Sequence, residues 1–344
     1  MAFRTILAFL VPFLFSLNVL AKDIMLNPAH PQQYTVVKGD TLWGISSKFL
    51  QNPWQWPEVW KNNAQIENPN LIFPGDTIYL TYIDGRPQLS LSNSGSGVER
   101  LLPRIRESQL DKAIKTIPLD AIAQFLNSPA VVSEYELADS PYIIDFANEH
   151  LLTGAGDRVY VRSILEPQGL GYTIYRSGET FISPVTNEIL GYEAVYIADA
   201  TLQRAGDPAT FFITKARREI RIGDRLLPNP EGEVTLNFFP RAPESDIKGS
   251  IISVFEGVTQ IGQFNVVVID QGLRDGLETG HVLEILHLGE IIRDRLSPLV
   301  NATVKLPDEP IGLLMVFRPF ERVSYAIVME ATNAIHVLDK IDNP

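Results

Sequence analysis

Apolar side chains along this chain return at helical spacing only in short stretches and at strand spacing over much of the remainder. The two patterns alternate most tightly between Tyr34 and Ile83. Tyr34-Thr35-Val36-Val37 is a β-rich phrase that runs into the turn residues Lys38-Gly39-Asp40. Leu42, Ile45, Ser46 and Phe49 then fall at three- and four-residue intervals, which predicts an amphipathic helix that Asp40 or Thr41 can cap. A second short helix is predicted over Pro57 to Asn62, with Pro57 in the first turn, where its missing N–H is not needed. Asn68-Pro69-Asn70 ends that helix, Pro74-Gly75-Asp76 turns the chain, and Thr77 to Leu80 reads as a closing strand.

Asp84 to Gly97 (DGRPQLSLSNSGSG) is dominated by Ser, Gly, Asn and Pro, and predicts a flexible linker over 84–98. Random-coil scaling gives such a segment a reach of ~20 Å, so the preceding module is expected to be tethered rather than fused. Helical periodicity resumes at Leu101, Ile105, Leu110, Ala113, Ile114 and Ile117, and again at Ile122, Phe125 and Leu126. Pro118 interrupts it and Asn127-Ser128-Pro129 ends it, which predicts a helical connector within 99–150. The basic residues sprinkled through it, Arg100, Arg104, Arg106, Lys112 and Lys115, read as a solvated helix face, with contact to an acidic partner as the alternative.

After Tyr142 the chain becomes short β phrases between glycines, and it repeats itself. Asn187 to Tyr196 resembles Asp308 to Phe317, and Phe211 to Leu226 resembles Ala326 to Ile341, with Ala216, Ile220 and Asp224 falling on Ala331, Ile335 and Asp339. Gly171 to Glu179 echoes Gly280 to Glu290. Two β units are expected, at 154–230 and 249–344, built as small antiparallel sheets or barrels. The expected fold class is therefore α+β: a small βααβ module (33–83), a flexible linker, a helical connector, and two repeated, mainly antiparallel β units.

Composition narrows what such a chain does. Its 344 residues and 45% hydrophobic content allow two or three packed domains. A formal charge of −12 argues against nucleic acid or an anionic bilayer as the main partner, since both need a basic face. Arg4, the apolar run Ile6 to Val19 and the small-residue site Val19-Leu20-Ala21 predict a cleaved secretory signal over 1–21, with a retained anchor as the alternative. Export without any cysteine fits the periplasm.

The absence of cysteine also removes thiol nucleophiles and thiolate metal sites. The five histidines, His30, His150, His281, His287 and His336, form no HxH or HExxH pattern, so no metal is expected, and His281 and His287 read as strand-face residues. No Gly-x-Ser-x-Gly elbow occurs, and Glu107-Ser108 lacks a surrounding catalytic domain and reads as a surface pair. No enzyme signature is present, and no cofactor is expected.

Tyr34-Thr35-Val36, Lys38-Gly39-Asp40-Thr41-Leu42, Ile45, Asn62-Asn63 and Leu71 to Ile78 resemble the LysM domain, a βααβ module that binds N-acetylglucosamine units of peptidoglycan and chitin. The segment Leu50 to Trp56 departs from it, being longer and richer in tryptophan. The resemblance implies a shallow glycan groove between two loops, Gly39, Asp40, Thr41 and Leu42 on one side and Leu71, Ile72, Phe73 and Pro74 on the other. Backbone groups there would address the N-acetyl amide, and Leu42, Ile72 and Phe73 would floor its methyl; the alternative is that these three only fill the core. Trp43, Trp54, Trp56 and Trp60, the chain's four tryptophans, either stack on sugar or pack the module.

Asp270-Gln271-Gly272, Asp275-Gly276-Leu277, Gly280 to Leu283 and Gly312 to Val316 resemble the C-terminal domain of the flagellar assembly protein T family. With the signal, the LysM-like module and the Pro118 to Leu126 stretch, the whole chain resembles the TsaP family of secretin-associated proteins of type IV pili. That resemblance implies a non-enzymatic periplasmic protein that ties an outer-membrane secretin to peptidoglycan. The alternative is a scaffold or regulator of wall-remodelling hydrolases.

Overall fold

The computed structural model describes residues 24–60, 72–92, 115–126, 131–147, 153–164, 167, 169–229, 238–255, 260–296 and 302–344. The predicted signal (1–21), the end of the linker and the connector run through Leu101, Ile105 and Leu110 lie outside the described residues.

The N-terminal module consists of β1 (Gln33–Thr35), α1 (Leu42–Phe49), a 3-10 turn at Pro53–Gln55, α2 (Trp56–Val59), β2 (Thr77–Ile83) and β3 (Arg86–Ser92). Its antiparallel sheet has the order β1-β2-β3. Thr41 caps α1 by accepting the Gly44 N–H at 3.1 Å. Leu42, Ile45 and Phe49 turn the helix's apolar stripe onto Trp56, Ile72, Ile78 and Leu89.

β3 overturns the predicted linker. Asp84 and Gly85 both adopt positive φ (50° and 77°), the conformation of a tight two-residue hairpin turn, and residues 86–92 pair with β2 along its whole length. Leu89 is fully buried in the module's core. The module therefore runs on to Ser92, and polar composition concealed a strand with one face inward.

The helical connector is also not found as such. Its described part holds an extended segment at 115–117 and two short helices, α3 (Leu119–Leu126) and α4 (Glu134–Asp139), with strand β4 (Val131–Val132) between them. Strand β5 (Tyr142–Phe146) already belongs to the next sheet. Among the described residues 48% are in strands and 10% in helices, so the protein is mostly β and not α+β. Pro118 and the turn-rich stretches keep the helices too short to form a layer of their own.

β5 is followed by β6 (Arg158–Arg162), β7 (Gly171–Ile182), β8 (Ile189–Arg204), β9 (Ala209–Ala216) and β10 (Arg225–Pro228). Antiparallel pairings run β5–β6–β9–β8–β7–β10 and return to β5, closing a six-stranded ring. The second unit contains β11 (Gly249–Val254), β12 (Val266–Ile269), β13 (Val282–His287), the small hairpin β14 (Ile291–Arg293) and β15 (Thr303–Lys305), then β16 (Glu309–Pro319), β17 (Ser324–Ala331) and β18 (Lys340–Asp342). Its closed barrel has the order β11-β12-β17-β16-β13-β18, the same topology as the first ring.

Registers match in detail. Irregularities between Ile143 and Asp145, Ile174 and Tyr175, Asp199 and Ala200, and Leu202 and Arg204 reappear between Ile251 and Ser253, Ile285 and Leu286, Leu313 and Leu314, and Val316 and Arg318. The inward residues correspond too: Ile143, Val161, Ile174 and Ile213 fill the first barrel as Ile251, Ile269, Ile285 and Val328 fill the second.

Beyond the first barrel the β7–β8 hairpin continues onto the second. Phe181 and Leu190 enter one apolar cluster with Val266, Val282, Met315 and Phe317 on the second barrel's outer face. Glu188 at the hairpin tip pairs with Arg274 and Arg322 at 3.2 and 2.8 Å. Trp43, Trp54 and Ile122 join the same cluster, and Trp56 lies 5.9 Å from the Phe239 ring. The N-terminal module is thus packed against the β units, contrary to the expected tether.

Candidate glycan-binding site

Two turns of the same construction form the candidate site. In Val37-Lys38-Gly39-Asp40 and Phe73-Pro74-Gly75-Asp76 the third residue is a glycine at φ 98°. The fourth residue's N–H donates to the first residue's carbonyl at 3.1 Å in both. The aspartate carboxylate in turn accepts the first residue's N–H, Val37 or Phe73, at 2.9 Å. A side chain added at either glycine would meet nothing within 4 Å, so the glycines are needed for backbone conformation, not space.

Val36 joins the turns. Its N–H donates to the Asp76 carbonyl and its carbonyl accepts from the Gly75 N–H, both at 2.8 Å. The Tyr34 hydroxyl donates to Asp40 Oδ2 at 3.0 Å. Partial burial and this bond to a carboxylate raise the Tyr34 pKa, keeping the phenol protonated as a fixed donor.

The predicted site residues divide by position. Gly39 is exposed, Asp40 and Thr41 are half-buried, and across from them Phe73 is exposed and Pro74 half-buried, so the two loops do meet. Leu42 and Ile72 are fully buried in the module's core and offer no surface. Leu71 lies outside the described residues. The backbone N–H groups of Leu42 and Trp43, open donors at a helix N-terminus, are taken by the carbonyls of Lys115 and Thr116 at 3.0 and 3.2 Å. The same turns also contain Val37, which is exposed, and Asp76, neither of which the sequence reading placed at the site; the shared Gly-Asp ending of both turns was the available signal.

All four tryptophans are buried, between 2% and 5% exposed. Trp56 and Trp60 meet edge to face at 5.9 Å inside the module, while Trp43 and Trp54 face the β units. None presents a ring to a sugar.

Elsewhere His281 sits in a turn before β13 and accepts the Glu278 N–H at 3.1 Å, and burial lowers its pKa. His287 ends β13 beside Asp339. Glu107-Ser108 lies outside the described residues.

Residues 34–81 match the LysM domain family. In Bacillus subtilis (strain 168) the uncharacterized protein YqbP is 38% identical over 58 residues, which is 14% of this chain and 26% of that protein. The chain thus spans about a quarter of the length of that relative. The N-terminal module is a LysM domain, a class that binds N-acetylglucosamine-containing peptidoglycan and related glycans and is not itself catalytic. That class fits an envelope or cell-wall location.

Proposed function

We propose that the protein is a non-enzymatic, periplasmic wall-anchoring protein. Its LysM domain grips peptidoglycan at the paired turns, and its two barrels hold a protein partner. The observation that carries the wall-binding half is the pair of matched Gly-Asp turns with Phe73 exposed beside them, in a segment that matches the LysM family. Gly39, Asp40, Thr41, Phe73 and Pro74 line the groove, with Leu42 and Ile72 as the rigid floor beneath. Phe73 offers an apolar face to the acetamido methyl.

In this reading the two barrels, whose interiors are filled by aliphatic side chains, serve as rigid platforms that present their outer surfaces to the partner. The resemblance of the chain to secretin-associated proteins of type IV pili makes the outer-membrane secretin the partner in this reading.

Co-sedimentation of the full chain with protein-free sacculi tests the first half. Wild type pellets and Phe73→Ala stays in solution with an unchanged melting curve; equal pelleting of both sinks the assignment of the groove. Release of soluble muropeptides from the same sacculi would overturn the non-enzymatic reading. For the partner, a deletion strain should show scattered secretin rings with normal shape; chaining or lysis points instead to a scaffold for wall hydrolases.

A further inference from the structure

The two barrels treat one buried position differently. In the first, Asp224 closes the turn Arg221-Ile222-Gly223-Asp224 by accepting the Arg221 N–H at 2.8 Å. The carboxylate is buried, and the Arg176 guanidinium grips it with two bonds of 2.7 and 2.9 Å. In the second, Asp339 closes His336-Val337-Leu338-Asp339 in the same way, accepting the His336 N–H at 2.7 Å, and is equally buried.

Strand register shows what replaces the arginine. Tyr175 pairs with Arg225 in the first barrel as Leu286 pairs with Lys340 in the second, so the residue after each, Arg176 or His287, is equivalent. His287 Nδ1 lies 2.9 Å from Asp339 Oδ1. His336, standing where the first barrel has Arg221, places its Nδ1 3.9 Å from Asp339 Oδ2.

A permanent cation has therefore been exchanged for two imidazoles around the same buried carboxylate. An imidazole, unlike a guanidinium, is a metal ligand, and a divalent ion held by both rings would bring positive charge to Asp339 as Arg176 brings it to Asp224.

We propose that His287, His336 and Asp339 bind a divalent transition metal ion of the zinc class. One ligand atom from each residue lies within 4.8 Å of the others. Zinc bonds of about 2.0–2.1 Å to nitrogen and oxygen place tetrahedral ligand atoms roughly 3.3 Å apart, so small side-chain rotations close the set. Imidazole with carboxylate is a donor set that favours zinc, copper or nickel over magnesium or calcium. Both histidines are about half exposed, which leaves the remaining coordination position to water. The site clamps the turn after β17 to the end of β13, as the Arg176–Asp224 pair clamps the equivalent elements in the first barrel.

Zinc titration of the full-length chain by calorimetry, with melting curves, tests this. Wild type is expected to take up one zinc ion with a raised melting temperature. His336→Ala, a change at a half-exposed side chain, loses that uptake. His287→Arg rebuilds the arginine–aspartate pair of the first barrel, so it also loses zinc binding but melts no lower than metal-free wild type. No saturable uptake by wild type, or uptake unchanged in both variants, overturns the site.

Discussion

At the residue scale, Trp56 and Phe73 separate stability from binding. Trp56 is 2% exposed and packed among Trp60, Phe49 and Phe239, so Trp56→Ala opens a cavity that its neighbours cannot fill. A loss of about 3–5 kcal/mol is expected, read as a drop in the denaturant midpoint of the LysM domain. Phe73, by contrast, is 39% exposed, and its loss is expected to act on sugar and not on folding. The turns that present it were legible, because a glycine before an aspartate needs only local chemistry to bend the chain. For Leu42 and Ile72 the sequence left groove floor and core filling open, because whether an aliphatic residue near a turn faces solvent or core depends on what packs above it; both are buried in the core.

At the element scale, the same ion-pair chemistry has different weight in different places. Asp224 is buried and held by Arg176, so Arg176→Leu strands a carboxylate without its cation. That change is expected to destabilise the first barrel by about 3–5 kcal/mol. Arg162 and Asp207 also pair, at 3.2 Å, but are largely exposed and screened by water, so Arg162→Ala should cost far less than Arg176→Leu. Comparing the two variants by chemical denaturation checks the contrast; equal effects would refute it.

The hairpin tip has its own dependence on pH. The hydrogen bond from Arg274, with the nearby charges of Arg274 and Arg322, holds the Glu188 carboxyl below the ordinary carboxylate range. A lowered pKa means that the ion pair's contribution to docking is fully present above the unfolded-state value and lost as pH falls through the folded one, while the apolar contacts remain. Acidification should therefore raise amide exchange in residues 183–189, and Glu188→Gln should remove that acid sensitivity.

Element reading from sequence failed where composition and pattern disagreed. Asp84-Gly85 is a strong hairpin signal, but the Ser- and Asn-rich stretch after it reads as linker, although Leu89 has its buried place across from Leu80. The repeat was legible in Phe211 to Leu226, where Ile220 and Asp224 do correspond to Ile335 and Asp339. Upstream it slipped. Similarity sets Gly191 against Gly312, whereas register makes Ala198 the equivalent of Gly312, each facing its alanine, 216 or 331, on the next strand. The 16-residue β8 outruns the 11-residue β16, and the surplus is the part that crosses to the second barrel.

At the scale of the whole molecule, one apolar cluster gathers the LysM domain, α3, the hairpin of the first barrel and the outer face of the second. In the proposed wall-anchoring role, pull on a wall-bound LysM domain would be passed to the barrels through packed side chains. A slack linker would absorb it.

Local sequence by itself determined the Gly-Asp turns, the capped helix α1 and the alternating strands, since each depends on residues within one or two turns of one another. Only the tertiary structure decided that the strands close into two like-ordered barrels and that Lys115 and Thr116 occupy the donors of α1. It also brought His287 to Asp339, 52 residues away along the chain. Those outcomes rest on pairings between distant segments, and a distant pairing is selected by the burial and hydrogen bonding of the assembled fold.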